Sequence, residues 1–595
     1  MNVSEYIFDF FHKKNLDTIF MVTGGQAMFL NDAVGKHGGY DIICTHHEQS
    51  ATMAADAYGR VTNKPGLALV TAGPGSVNAM NGVVGGYTDS APMIVISGQA
   101  AYSFVKYQDE TKIRQFGIQG INIRPLVKNV TKFFVTVDDP QKILYYLEKA
   151  YHLATTGRPG PVWIDVPLDI QREEVDERYL DHYVPEPVSE GRVSMSQAIK
   201  KLYELLSVAK RPVLLVGQGV SLANARGEFL EFASKARIPV ITSRLGIDLI
   251  ETDNDLYVGR PGNYGERSAN FAIQNSDLII SVGCRLAAAL VGHNSKAFGK
   301  NAFIYVVDID QEELNKPGVN IGFKARLDCK EFFEKALEEI NIESIPNHEE
   351  WIKICNKWKA NYPVVQPEYR DEKPVNSYYF ADKLSDLASK DDTVLVDTGS
   401  CFHVACQTWK IKKGQKFLTT GGLSSMGYWV AGLGSCLAND RKNTIVITGD
   451  GSLQMNIQEF ATIKHNKLPI KVFIFNNNGY LLIRHTQRNF MENRLVGEGP
   501  ETGVWCPDSL EIAKAYGIKG VRIDSVEGME AKIQEVLDYD GPVICDVMTP
   551  EWQLLIPRVA SDKLPDGTLV SREYEDMFPY LSKEELEENM VLIKE

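Results

Sequence analysis

The chain has 595 residues, enough for three or four domains. Its apolar share of 44% and charged share of 24% are those of a globular protein, and a net charge of −14 argues against a nucleic-acid or anionic-membrane surface. Nine scattered cysteines offer neither a disulfide framework nor a usual metal spacing, even at the closest pair, Cys401 and Cys406, so a reducing, cytoplasmic setting is expected.

From the N-terminus, Met1 to Phe20 sets Glu5, Asp9, Lys13, Lys14 and Asp17 among apolar residues, which predicts an amphipathic helix and not a signal peptide. Strands are predicted at 18–22, 40–44, 66–71 and 93–97, with a helix from about Glu48 to Thr62 among them. The segment 183–191 is a Pro-rich polar linker. A second block has strands at 213–217, 239–242, 278–283 and 303–310, the alternation of a doubly wound parallel sheet. There Gly217-Gln218-Gly219 lacks the third glycine of a dinucleotide fingerprint, and tight packing explains it at least as well. The charge-free stretch Gly421 to Asn439 is rich in Gly and Ser and reads as a buried loop and helix, not a membrane span.

The third block carries the strongest signal. A β-branched run, Thr444 to Thr448, leads into Gly449-Asp450-Gly451-Ser452, and a second, Ile470 to Phe475, leads into Asn476-Asn477-Asn478-Gly479. Ile457, Phe460, Ala461, Ile463 and Lys464 have the spacing of a crossover helix between them. Two parallel strands thus deliver oxygen ligands from their C-terminal ends: the Asp450 carboxylate, the Asn477 amide oxygen and the Gly479 carbonyl. Hard oxygen donors with room left for phosphate and water suit Mg²⁺. Gly449 and Gly451 let backbone amides approach a diphosphate at a helix start.

This arrangement resembles the diphosphate-binding motif of thiamine-diphosphate enzymes. Thr45-His46-His47-Glu48-Gln49-Ser50-Ala51 is similar to the His-Glu-Gln-x-Ala segment of the acetolactate-synthase branch, which implies that Glu48 holds the cofactor's pyrimidine nitrogen and favours its imino tautomer. Helix capping is the plain alternative for a Glu at that place. Val22-Thr23-Gly24-Gly25-Gln26 looks like that branch's N-terminal glycine turn, and Gly73-Pro74-Gly75 with Asn78 looks like its Gly-Pro-Gly loop. Gly421-Gly422-Leu423-Ser424-Ser425-Met426-Gly427 matches its Gly-Gly-Leu-x-x-Met-Gly loop, which implies that Met426 bends the cofactor and that the Ser424 carbonyl holds its amino group, although glycine is usual at 424. Thr398, Gly399, Ser400, Ser452 and Tyr480 complete the expected cofactor contacts.

The resemblance covers about residues 1–550. It implies three doubly wound α/β domains: pyrimidine-binding over 1–178, central over 192–345 and diphosphate-binding over 372–550. The tail, 551–595, departs from the family's short C-terminus and is read as a candidate lid. The implied activity is decarboxylation of a 2-oxo acid, pyruvate first, with transfer of the acyl carbanion to a carbonyl acceptor in a homodimer or homotetramer. The alternatives are a simple decarboxylase, a lyase acting on a cyclic diketone, and a non-catalytic cofactor-binding subunit, against which intact Glu48 and metal ligands argue.

Substrate contacts are expected from Gln119, His485 and Gln487. Thr486 replaces the Trp that shapes the acceptor pocket of the synthases, and Arg484, His485 and Gln487 are expected to make that pocket polar enough for a keto-sugar. Mutual satisfaction of these polar groups is an equal alternative. Gly120 stands where the synthases have a Glu. FAD is the less favoured cofactor expectation: Arg285 and Asp308-Ile309-Asp310 match the family, but Ala287-Ala288 replaces its acidic pair.

Overall fold

A computed structural model describes residues 1–187, 193–563, 566 and 568–590. The 183–191 linker therefore lies partly outside the described residues, as does Leu564 to Thr568, whose Pro-Asp-Gly core predicts a turn. Three six-stranded parallel sheets carry the fold. The first contains β1 (Thr18–Met21), β2 (Asp41–Cys44), β3 (Gly66–Val70), β4 (Met93–Gln99), β5 (Phe133–Thr136) and β6 (Pro161–Pro167). The second contains β7 (Pro212–Val216), β8 (Val240–Thr242), β9 (Tyr257–Gly259), β10 (Leu278–Val282), β11 (Phe303–Asp308) and β12 (Phe323–Arg326). The third contains β13 (Thr393–Val396), β14 (Lys416–Thr419), β15 (Thr444–Gly449), β16 (Ile470–Asn476), β17 (Lys519–Ile523) and β18 (Val543–Met548).

The first sheet runs β2-β1-β3-β4-β6-β5 and the third β14-β13-β15-β16-β18-β17, so the two outer domains share one topology. The middle sheet, β12-β11-β10-β7-β8-β9, has the other doubly wound order. Strands such as β3, β4, β7 and β10 are buried along their whole length, which is why they read as unbroken apolar runs with no alternation. In open sheets of this kind ligands bind beyond the strand C-termini where the order reverses. In the outer domains that point lies between β1 and β3, and between β13 and β15.

The N-terminal amphipathic helix is Val3–Lys13, closed by an Asn2–Glu5 capping box. The charge-free stretch becomes a loop, a 3-10 turn at Tyr428–Ala431 and a helix at Gly432–Ala438. That helix packs on the Glu48–Thr62 helix so closely that a Cβ on Gly434 would lie 1.8 Å from the Ala54 carbonyl oxygen. The contact welds the N-terminal domain to the C-terminal one. Among the described residues no helix is long and apolar enough to cross a membrane.

The tail, expected as a lid, fastens along 574–590 to the middle domain. Its anchor is the helix Arg267–Asn275, all of whose residues are buried. Asn270 donates to the Tyr574 carbonyl (2.9 Å), Gln274 to Glu575 (2.7 Å) and Arg267 to the Pro579 carbonyl (2.7 Å). Trp358 donates to Asn589 (2.8 Å), and the Tyr574 hydroxyl to the Leu290 carbonyl (2.6 Å).

Candidate active site

In the N-terminal domain the candidate residues gather where the sheet order reverses. Glu48 opens the helix that follows β2, capped by His47, whose ring accepts from the Gln49 amide. Its carboxylate is buried and accepts from Asn78 Nδ2 at 3.0 Å. Gly75, after β3, is close enough that a Cβ there would stand 3.2 Å from Glu48 Oε1. Gly24, beside Gly25, admits no side chain, since a Cβ would meet Thr71 at 2.4 Å. Pro74 starts the short helix that ends at Asn78. The backbone of Gln119, at φ +56°, closes over Gly73, while its side chain is exposed.

In the C-terminal domain Asp450 follows β15 and Asn477 follows β16, neighbouring strands. Asp450 is buried; its Oδ1 accepts from the Gly451 amide and its Oδ2 from the Gly479 amide, both at 2.9 Å. Burial pushes its carboxyl up to about 6, a shift that an adjacent divalent cation would oppose. Asn477 is buried too, and its Oδ1 has no hydrogen-bond partner. An orphaned buried amide oxygen costs stability unless something fills its valence. Beside Asp450, a cation is the filler that fits, with Asp450, Asn477 and the Gly479 carbonyl as its oxygen donors. Gly451 is open for a reason: a Cβ there would strike the Tyr480 ring at 2.1 Å.

Asp397, absent from the sequence expectations, organises this end. It sits just after β13, ahead of Thr398, Gly399 and Ser400, and is fully buried. It accepts from the hydroxyls of Ser452 (2.6 Å) and Thr448 (2.8 Å) and from the amides of Thr398 (2.8 Å) and Tyr428 (3.1 Å). Ser452 in turn accepts from the Gly427 amide at 2.7 Å, so one carboxyl links the Gly-Asp-Gly turn to the Met426 loop. Burial raises Asp397 to about 6 against these bonds. An acid directly after a buried strand at a point of order reversal was the signal available for it. Ser424 adopts φ +54°, the left-handed region that explains why glycine is at ease there.

The polar face expected to greet the acceptor is largely spent within the protein. Arg484 is buried and donates to Glu498, to the carbonyls of Asn477 (3.2 Å), Asn478 (3.1 Å) and Glu498 (3.3 Å), and to that of Glu551. Gln487 brackets Val496, donating to its carbonyl and accepting from its amide, each at 2.9 Å. His485 Nε2 bonds the Gln553 carbonyl at 2.8 Å, and its ring stacks on Trp552 with centroids 4.3 Å apart. Its Nδ1 is buried with no partner, and burial lowers its pKa below the usual imidazole value. Mutual satisfaction thus accounts for Arg484 and Gln487. Thr486 is exposed, its hydroxyl turned back to the Leu482 carbonyl.

A cavity of about 640 Å³ opens where the three domains meet, lined by Arg158, Gly219, Arg244, Arg285, His403 and Gly422 among others. The glycines of 217–219 serve their own packing, since a Cβ on Gly217 would lie 2.3 Å from the Gly283 carbonyl oxygen. Arg285 is held by Glu313 (3.0 Å) and the Thr88 carbonyl (2.6 Å), and Arg158 by Asp310 and Glu313, both at 2.9 Å. Arg244 donates to the Tyr264 carbonyl (3.0 Å) and lies over the Phe402 ring.

Among the described residues Glu48 makes no hydrogen bond to Asp450, Asn477 or Gly479 of its own chain; the two domains touch through other residues. Family models agree with both halves. The N-terminal TPP binding domain of thiamine pyrophosphate enzymes matches residues 1–123, their central domain 199–335 and their C-terminal TPP binding domain 397–547. The acetolactate synthase large subunit of Cyanidium caldarium is 33% identical over 571 residues, covering 94% of each chain. That of Lactococcus lactis is 29% identical over 93% of this chain and 94% of its own. Isozyme 2 of Escherichia coli is 29% identical over 95% and 99%. The chain belongs to the thiamine pyrophosphate enzymes, in their acetolactate-synthase-like branch.

Proposed function

We propose that this enzyme decarboxylates a 2-oxo acid, pyruvate first, and transfers the acyl group to a carbonyl acceptor. The observation that carries the reading is the orphaned Asn477 oxygen beside Asp450, at the strand ends where a metal–diphosphate would seat. Thiamine diphosphate supplies, when bound, the nucleophilic carbon that holds the acyl unit as carbon dioxide leaves. Asp450, Asn477 and the Gly479 carbonyl hold Mg²⁺. Glu48, oriented by Asn78, holds a proton at its carboxyl for the pyrimidine nitrogen. Met426 supports the bent cofactor from a loop tied to Asp397 through Ser452. The names of the relatives support pyruvate as donor.

Room supports a larger acceptor better than polarity does. Thr486 leaves space where a Trp would stand, so a keto-sugar is the acceptor proposed, with Gln119 and His485 Nδ1 as the groups left to meet it. Glu48 and the metal cluster belong to different domains, and the active unit is proposed to be a homodimer, or a pair of them, in which one subunit's Glu48 serves the other's diphosphate. Nine free thiols suit a cytoplasmic enzyme. FAD is left out of the chemistry. The cavity has the volume of a ligand site, but of the arginines described along it Arg158 and Arg285 are already neutralised, which leaves Arg244 for a diphosphate; flavin absorbance in purified protein would show that FAD is bound after all.

Product analysis with pyruvate, with and without a keto-sugar, tests the reading. Acyl transfer to the sugar at the expense of acetolactate is expected. Rapid acetolactate formation with no competition by the sugar would reduce the enzyme to a plain synthase, and no pyruvate consumption at all would refute the donor.

A further inference from the structure

The loop that carries Met426 is not held by its own domain alone. The amides at its root, Gly421 and Gly422, both donate to Asp89 of the N-terminal domain, at 2.9 and 2.6 Å. Asp89 is 1% exposed and caps the helix Met80–Thr88. Arg60, on the helix that Glu48 opens, donates to the Thr419 carbonyl just before the loop (2.9 Å) and to the Tyr428 hydroxyl just after it (3.1 Å). The same guanidinium lies 4.0 Å from Asp89. Farther along, the Ser425 hydroxyl donates to Asn81 at 2.6 Å. Gly422 admits this grip only because it lacks a side chain: a Cβ would stand 2.5 Å from Thr88 Cβ and 2.9 Å from Asp89 Oδ1.

We infer that Asp89 is a positioning residue for the cofactor, its carboxylate gripping both root amides of the Met426 loop and so setting where Met426 stands. Resting on the thiamine-diphosphate reading of that loop, the inference has a local physical basis. Residues 421–424 are exposed and Ser424 is in the left-handed region, so the loop has little packing with which to hold itself. A carboxylate offers one acceptor to each of two neighbouring N–H groups, and the charge strengthens both bonds. A carboxamide offers one acceptor and turns its own N–H₂ toward the second amide. The grip is itself braced: on either side of Asp89, the Thr88 carbonyl accepts from Arg285 of the middle domain (2.6 Å) and the Ser90 hydroxyl from Arg158 (2.8 Å). All three domains therefore meet in the three residues that place this loop.

The test uses the full chain carrying Asp89→Asn, and separately Gly422→Ala, which disturbs the same contact from the loop side. Thiamine diphosphate binding with Mg²⁺ is measured by calorimetry, and hydrogen–deuterium exchange at cofactor C2 by NMR after acid quench. The diphosphate end is held by other residues, so affinity is expected to stay within about threefold, while C2 exchange slows by about tenfold or more, as one well-aligned hydrogen bond is lost. A purely structural role predicts a lower melting midpoint and wild-type exchange, and that result in both variants overturns the inference. Should Asp89→Asn fail to fold, Gly422→Ala decides. Wild-type protein that takes up no cofactor would instead sink the functional reading, and this inference with it.

Discussion

Arg484 is where the energetics of the candidate metal site can be worked from named contacts. Its buried guanidinium pairs with the equally buried Glu498 and donates to the carbonyls of Asn477, which presents the orphaned oxygen, and of Asn478 beside it. Arg484→Met removes all of these at once and leaves Glu498 charged without its cation. Breaking a buried pair from one side costs about 3–5 kcal/mol. The loss falls on the 477–499 segment and not on the apolar sheet, so it is felt as disorder in the metal ligands. At about 1.4 kcal/mol per tenfold, affinity for thiamine diphosphate with Mg²⁺ falls roughly a hundredfold or more. Calorimetric titration at fixed Mg²⁺ measures it. The double variant Arg484→Met/Glu498→Leu, which removes both charges, is expected to recover much of the loss, because an apolar pair carries no uncompensated ion. Wild-type affinity in Arg484→Met, or a double variant worse than the single by the full cost of Glu498, would refute the argument.

Four further outcomes are expected. Chelation of divalent ions should abolish cofactor binding, and Asn477→Ala should raise the Mg²⁺ requirement by about tenfold or more without lowering the melting midpoint, since the oxygen removed was unsatisfied; unchanged Mg²⁺ dependence would take Asn477 out of the ligand set. Glu48→Gln should keep cofactor affinity nearly intact but cut turnover by about 10²-fold or more, whereas simple capping predicts about 1 kcal/mol of stability or less and unaltered chemistry; C2 exchange separates the two. Asp165 is fully buried among Ser97, Gln99 and Thr136, and burial raises its carboxyl to about 7. A folded pKa above the unfolded one means that the native state binds the extra proton, so this group's contribution to stability falls as pH rises from about 4 to about 7. Asp165→Asn should flatten that part of the stability profile measured by denaturant titration, and an unchanged slope would contradict the assignment.

Much of this was legible in the residues themselves. The helix Glu48–Thr62 and the strands ending at Gly449 and Asn476 announce themselves by apolar runs with glycine or polar residues at their ends. Asp450, Asn477 and Gly479 could be named as candidates because they stand at neighbouring strand ends and come from short, local stretches. What was not legible depends on partners far away in the chain. Arg484 reads as polarity for an acceptor pocket until Glu498 and three further carbonyl-bearing residues claim it. Asp397 and Asp89 are ordinary acids until Ser452 and Gly422 arrive, the latter from 333 residues away. Local periodicity carries no record of such pairings, and charge carries little, since Asp397 is held by amides and hydroxyls and the Arg60 that approaches Asp89 lies 29 residues away in the chain.

The fastening of the tail to the middle domain has a consequence for the order of manufacture. The helix Arg267–Asn275 leaves the ribosome some three hundred residues before Tyr574, Glu575, Pro579 and Asn589, the residues that satisfy its polar side. The N-terminal domain, whose sheet closes within one contiguous stretch, is free to fold while synthesis continues. The central one lacks the tail's share of partners for Arg267, Asn270, Gln274 and Asn275 until residues 574–589 have been made. A nascent chain stalled before Tyr574 thus presents a middle domain with part of its buried polar side unpartnered, the surface on which chaperones and proteases act.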